Sequence, residues 1–451
     1  MTELFVERDG FLRIALTRDK ELVGLRVIRD TERPSEGDIY HGIIRNVSVS
    51  QKAVFIDIGT GRNAYLYVRD RRSIGSYHVG DGLTLEILRG ESGKKGAKVT
   101  DEISLSDGNL VIMKGKGHSF SRHVSRDRFM EIHGSVAKVP GVHVMYRQGS
   151  LKLTPEELKA SVDTLAGEFG TVLQEAGQIR QPGRVFRDRY VLTEMVESGR
   201  AGEGLFLVHC NDEEISRELK EAFPEITINE YPERDHIFFR HGLESMIQRL
   251  RRSQVPLHSG GSLVIEETEA MAAIDVNSGS AGSKGRAMDA LAVNLEALTQ
   301  ALREIDLRNL SGIIVIDFIS MKKERDQARL YEAALAAVKG MTPLTKVYPL
   351  TELGLMQIAR RRRGESLKKT LFISDSNRKV PVSATYLYKL IRIRLDESGW
   401  EMKNYEITTD PVYASEMAAI RELLAMDYPE LSFRFSESYL VDVVEVRPLI
   451  L

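Results

Sequence analysis

The chain has 451 residues, 42% of them hydrophobic and 28% charged, a balance that excludes intrinsic disorder and collagen-like repeats. A single cysteine, Cys210, excludes a disulfide scaffold and a cysteine-built zinc site, and reads as a small buried apolar residue. The net charge of −2 argues neither for nor against nucleic acid, because what matters is where the basic groups cluster.

At about 150 residues per domain the length suggests roughly three domains. The first nine residues carry acids where a signal peptide needs an apolar stretch, and apolar runs such as Ile313–Ile316 are much too short to span a bilayer. A cytoplasmic protein with no membrane partner is expected. From Gly37 to about Asp107 short strands alternate with turns: Ala53–Ile58, a turn at Gly59–Gly61, Ala64–Val68, then Leu83, Leu85 and Ile87 on one face of a third strand. That is the pattern of a small β-barrel. Tyr40, Phe55, Tyr65 and Tyr67 are its candidate stacking surfaces, with Lys94, Lys95 and Lys98 on a Gly-flanked loop. Aromatics in small barrels are more often core, yet joined to basic loops they match the way OB folds hold single strands.

The texture changes from about 108 to 200, where Thr154-Pro-Glu-Glu opens a helix running to about Glu175, with proline at the first helical position. Leu205–Val208, Glu213–Ala222 and Ile226–Ile228 read as strand, helix and strand, and are candidates to share a sheet with the first 30 residues. Next come strands Ser262–Glu266 and Met271–Val276, a glycine-rich loop, and a long helix with Leu291, Leu295, Leu298, Leu302 and Ile305 at helical spacing. The run Ile313–Ile319 is near-continuously apolar and β-branched, as expected of a strand covered on both faces. A helix near 323–339 and a strand at Thr345–Tyr348 follow, and helix and strand patterns alternate to the C-terminus without an internal repeat.

Two acids stand out. Asp275 and Asp317 each interrupt an apolar strand, and one helical connection joins the two strands, so they are expected to be near neighbours. Buried carboxylates carry a desolvation cost and repel each other unless a cation joins them. A hard divalent ion such as Mg²⁺ suits them, and Asn277, on the same strand face as Asp275, is a further candidate ligand or orienting group. The bland reading is that each acid caps a backbone turn. The loop Gly279–Gly285 lacks phosphate-loop spacing, but its position before a helix allows Lys284 and backbone N–H groups to meet a phosphate. Arg360–Arg363 with Lys368 and Lys369 is either a solvated face or a surface for a phosphate backbone.

Several runs together resemble the ribonuclease E/G family of bacterial endoribonucleases: Gly37-Asp-Ile-Tyr-His-Gly-Ile-Ile44, Ala53-Val-Phe-Ile-Asp-Ile-Gly59, His258-Ser-Gly-Gly-Ser-Leu-Val-Ile-Glu266, Ala273-Ile-Asp-Val-Asn-Ser-Gly279, Val293-Asn-Leu-Glu-Ala297 and Gly312-Ile-Ile-Val-Ile-Asp-Phe-Ile319. The resemblance covers nearly the whole chain and implies an α/β multidomain fold. It divides into an RNase H-like domain split between 1–35 and 185–255, an inserted OB-fold RNA-binding domain at 36–107, a 5′-sensor region at 108–184, a deoxyribonuclease-like catalytic subdomain at 256–365 and a small domain at 366–451. It also implies Mg²⁺ held by Asp275 and Asp317, with Asn277 holding the first acid or a water of the metal. It further implies that single-stranded RNA is contacted by Phe55, Tyr65 and Lys95, and that the chain assembles as a homodimer.

Departures from the family pattern matter as well. Residues 364–385 contain no Cys, so zinc is not expected and neither is the zinc-linked tetramer. Ser280, Ser320 and Glu352 stand where the family carries an Arg, a second acid and often a basic residue. In the sensor stretch Val144–Gly149, Arg147 is the candidate to replace the Arg-Thr pair that grips a 5′-monophosphate. The long disordered tail of the scaffolding members is not found, so a scaffold role is not expected. The leading expectation is a Mg²⁺-dependent endoribonuclease that hydrolyses single-stranded RNA to 5′-phosphate and 3′-hydroxyl ends in RNA processing, including that of ribosomal RNA, or decay. The alternatives are an RNA-binding protein of the same fold with weak or no catalytic activity, and a phosphohydrolase acting on small nucleotides.

Overall fold

In the computed structural model the chain begins as a meander of three strands, Thr2–Arg8, Phe11–Arg18 and Glu21–Arg29. The structure describes all residues except 30–33, 69–72, 92–94, 122–123, 189, 201–205, 234, 280–288, 340, 342–344, 362–363, 373–381, 400–401, 442 and 450–451. The chain divides into two compact units, Met1–Asp30 with Gly202–Leu451, and Thr31–Ala201. Among the described residues no helix is long and apolar enough to cross a membrane.

In the first unit the meander extends into a five-stranded sheet, because Phe206–Cys210 pairs in parallel with Thr2–Arg8 and Thr227–Glu230 pairs in parallel with Phe206–Cys210. The sheet shared with the N-terminus is therefore present, and Glu213–Ala222 is the helix between its last two strands. Cys210 is fully buried in it. A second sheet has the order Gln254–Pro256, Ser262–Glu267, Met271–Asn277, Gly312–Asp317, Leu355–Arg360 and Thr345–Val347. Helices Ala290–Leu307 and Glu324–Ala337 bury their apolar residues with Leu263, Ile265, Ile274, Val276, Ile314 and Ile316 in one core. A third sheet, with Asn404–Thr409 between Ser432–Glu437 and Val444–Pro448, shares its core with helices Ala384–Glu397 and Met417–Asp427.

One expectation fails here. The run Ile313–Ile319 is not covered on both faces: the strand ends at Asp317, burial alternates along it, and Ile313 is 54% exposed. The two helices share a core with one face only, so large apolar side chains on the other face gave the sequence a two-sided look. The desolvation argument for the two acids falls with it, since both are exposed.

The second unit holds a closed five-stranded, OB-like barrel. Ile39–Ser48, Ala53–Asp57 and Asn63–Tyr67 pair in sequence, Asn63–Tyr67 then pairs in parallel with Lys98–Thr100, and Gly82–Arg89 closes the ring by pairing with both Lys98–Thr100 and Ile39–Ser48. Val54, Ile56, Ala64, Leu66, Leu85 and Ile87 fill it, as their alternation predicts. Tyr40 belongs to this core at 2% exposure, so it is no stacking surface. Beside the barrel, the sheet Gly117–Phe120, Val142–Tyr146, Leu110–Lys114 and Ser104–Ser106 packs on helix Pro155–Gln178. That helix begins at Thr154 with a reciprocal capping box to Glu157, and it runs three residues past the expected end.

Candidate active site

The strands Met271–Asn277 and Gly312–Asp317 run parallel, and their register sets Asp275 directly beside Asp317 as the last pair of the ladder. Period-two alternation then decides the faces. Ile274, Val276, Ile314 and Ile316 point into the core, which leaves Asp275, Asn277 and Asp317 together on the open face. Neighbouring strands lie about 4.8 Å apart, so two carboxylates side by side repel each other across a short gap. Asn277 Nδ2 donates to Asp275 Oδ2 at 2.8 Å. Among the described residues neither carboxylate has a salt-bridge partner.

Two devices fix the ends of these strands. Asn294, fully buried on helix Ala290–Leu307, donates through Nδ2 to the Ile319 carbonyl at 2.8 Å and accepts the Ile319 N–H through Oδ1 at 3.0 Å. Glu296, on the same helix, accepts the backbone N–H groups of His258 and Ser259. The turn they belong to lies against the chain that follows Asp275: a Cβ on Gly261 would stand 2.5 Å from the Asn277 carbonyl oxygen, and one on Gly279, whose φ is +52°, would stand 2.3 Å from that of Gly260. Only glycine fits at these two approaches.

The other expected site residues separate. Phe55, Tyr65, Lys95 and Arg147 belong to the second unit, and Lys94, Ser280 and Lys284 lie outside the described residues. Phe55 and Tyr65 face each other across adjacent barrel strands, out of phase with the buried residues and half-buried. Lys98 pairs with Tyr65 on its other side, and Arg89 Nη2 lies 3.5 Å from the Tyr65 hydroxyl. Lys95 is exposed just before Lys98. Arg147 Nη1 donates to Ser106 Oγ at 3.1 Å, so its guanidinium is engaged within its own sheet. The sequence pattern gives no signal for Arg89, because two-residue alternation sets it in phase with the buried Leu85 and Ile87; a register shift between Ile87 and Arg89 accompanies its exposure. In the basic run Arg360, 2% exposed, is structural, held by Asp306 at 2.7 Å, the Leu310 carbonyl and Asn309, whereas Arg361 and Lys369 are exposed, the latter 3.6 Å from Glu267, and Arg362 and Arg363 lie outside the described residues.

Compared with known proteins, residues 104–363 match the Ribonuclease E/G family, more than half of the chain and all of the carboxylate site. The chain belongs to the Ribonuclease E/G family. It is 29% identical over 376 residues to Ribonuclease E of Synechocystis sp., covering 73% of this chain and 53% of the relative. Ribonuclease E of Nostoc sp. is 27% identical over 357 residues, covering 73% and 52%. Ribonuclease G of Escherichia coli is 27% identical over 389 residues, covering 80% and 79%. The chain thus spans about half the length of the two Ribonuclease E relatives. Within a Ribonuclease E/G chain the run Val293–Ala297 acquires a physical meaning, since its Asn294 and Glu296 are the two groups that grip the loops flanking the acids.

Proposed function

We propose that this Ribonuclease E/G chain is a metal-dependent endoribonuclease acting in RNA processing or decay, which hydrolyses single-stranded RNA with Mg²⁺ at Asp275 and Asp317 and leaves 5′-phosphate and 3′-hydroxyl ends. The single observation that carries the reading is the in-register, exposed carboxylate pair with no cationic partner among the described residues. The residues fit a hard divalent ion. No group of three or more His, Cys, Asp or Glu suited to a metal occurs among the described residues, and Mg²⁺ is commonly bound by one or two carboxylates, keeping waters and substrate phosphate as its other ligands.

When bound, a divalent cation supplies a more acidic water and stabilises charge on a phosphate undergoing in-line attack. The chain's own residues do the rest. Asp275 and Asp317 offer oxygens from two adjacent strands, and Asn277 fixes the rotation of Asp275 through its amide. The open strand face leaves room for a polynucleotide, and the two large carboxylate-side neighbours, Val264 and Leu355, flank the acids in the same row of the sheet. In the barrel, Phe55 and Tyr65 provide ring faces for bases while Lys95, Lys98 and Arg89 meet the backbone, an arrangement sequence-tolerant by nature. Arg147 and Lys284 are assigned supporting contacts to RNA phosphates.

The domain boundaries 1–35, 36–107, 108–184, 185–255, 256–365 and 366–451 belong to this reading. The strand order Thr227–Glu230, Phe206–Cys210, Thr2–Arg8, Phe11–Arg18, Glu21–Arg29 supports an RNase H-like assignment of the split part. A cytoplasmic homodimer is part of the reading too. The test is cleavage of a 5′-monophosphorylated, AU-rich single-stranded RNA with and without Mg²⁺, by the wild type and by Asp275→Asn. Discrete internal cuts that need both the metal and Asp275 are expected; RNA binding without cuts overturns the enzyme reading in favour of an RNA-binding protein.

A further inference from the structure

The hydrogen bonds around the acids raise a question that the acids themselves do not answer. Asp275 and Asp317 are the last pair of their ladder; the strand of Asp275 stays paired with Ser262–Glu267 as far as Asn277, whereas the chain beyond Asp317 has no strand partner on either side among the described residues. The chain after Asp317 recovers that support from a side chain. Asn294 meets both the N–H and the C=O of Ile319, two residues past the acid, as a neighbouring strand would. Asparagine in a helix interior is a poor helix former, and a fully buried one is tolerated only where its amide is satisfied. Its oxygen and nitrogen both go to one residue's backbone, at the end of the strand that carries Asp317.

The chain after Asp275 is held by the same helix. Glu296 grips His258 and Ser259, and the turn 258–261 lies in backbone contact with Asn277 and Gly279. Asn277 in turn holds Asp275. One helix, through two side chains two positions apart, therefore reaches the chain beyond each acid, at Ile319 directly and at Asn277 through the turn 258–261.

We infer that Asn294 and Glu296 are positioning residues for the divalent-cation site: they fix the spacing of the Asp275 and Asp317 carboxylates without touching the ion or the RNA. The inference rests on the metal reading of those acids. Groups that orient metal ligands typically contribute roughly 10–100-fold in metal affinity or activity.

The test is a calorimetric titration of the RNA-free protein with Mn²⁺, alongside RNA affinity measured in chelator. Asn294→Leu, close in volume but unable to hold Ile319, is expected to bind Mn²⁺ about tenfold or more weaker, with RNA affinity in chelator unchanged. Single-turnover cleavage by this variant is expected to recover at high Mg²⁺, a shift in metal requirement that a loss of folded protein does not produce. Glu296→Ala is expected to behave in the same way, and Glu296→Gln, which keeps an oxygen acceptor for the two N–H groups, to restore most of the affinity. Should Asn294→Leu fail to fold, the Glu296 pair decides. Wild-type Mn²⁺ affinity in Asn294→Leu and Glu296→Ala, while Asp275→Asn and Asp317→Asn lose it, overturns the positioning role alone. Undiminished Mn²⁺ binding in the two Asp variants overturns the metal site and the inference with it.

Discussion

Lys389 offers the most quantitative test of how the first unit is held together. Its ammonium, 3% exposed, lies 2.8 Å from Glu7 and 2.6 Å from Asp9, at the end of the first strand. Glu7 is fully buried, paired also with Arg13 at 2.6 Å, and accepts the Phe238 N–H at 2.8 Å. Asp9 is paired also with Arg392 at 2.7 Å. Burial pushes the Glu7 carboxyl upward, but Arg13, Lys389 and the Phe238 N–H outweigh it and hold the group down at about 2. Breaking a buried pair by removing one partner costs about 3–5 kcal/mol, and both acids keep a second cation, so Lys389→Met should lose about 3 kcal/mol at pH 7. With a urea dependence of about 3 kcal/mol per molar, that is a midpoint shift of about 1 M. The sign with pH follows from the lowered carboxyls. Their contribution is complete above about 4.5, the ordinary glutamate value, and is lost as pH falls toward 2. The difference between wild type and Lys389→Met should therefore shrink between pH 4.5 and 2. The assay is urea unfolding followed by the fluorescence of Trp400, the chain's one tryptophan, which follows the Lys389 helix by three residues. A variant within 0.5 kcal/mol of wild type at pH 7, the span of neutral surface changes, would refute the reasoning, as would an undiminished gap at pH 3.

Three further predictions concern single residues. Burial raises the Glu86 carboxyl to about 7 against its Ser104 hydrogen bonds, so its charge weighs on the barrel above pH 7 and not below 4.5; Glu86→Gln should stabilise the barrel by up to about 3 kcal/mol at pH 8 and by nothing at pH 4, read from hydrogen exchange of the barrel strands. Tyr65→Ala should weaken single-stranded RNA binding by about 1–3 kcal/mol in fluorescence anisotropy, with Tyr65→Phe close to wild type, because the ring face matters more than the hydroxyl. Arg360→Gln should lose about 3–5 kcal/mol of stability while leaving the salt dependence of RNA binding unchanged, since its guanidinium faces Asp306 and not solvent.

The pairing of Asp275 with Asp317 was legible because two apolar strands joined by one helix form a right-handed crossover, which makes the strands neighbours. What lay over those strands was not legible, since periodicity cannot tell a run covered twice from one with large apolar residues on an open face. Tyr40 is different: it sits in phase with Ile44, whereas Phe55 is out of phase with Val54 and Ile56, so alternation already separated core from surface. The Arg360 run showed charge but not partners, because Asp306 and Asn309 reach it only through the fold. Asn294 and Glu296 were visible as a motif, yet their targets, Ile319 and His258, lie 25 and 38 residues away.

Under the proposed function Asp275 and Asp317 serve one cation. Single-turnover cleavage of a single-stranded RNA should be measured across Mg²⁺ concentrations for Asp275→Asn, Asp317→Asn and the double variant. Two ligands of one ion predict that the double variant is scarcely slower than either single one, because each change alone already disables the site. Losses that multiply, or near-normal cleavage by either single variant, would show that the two carboxylates do not share one ion.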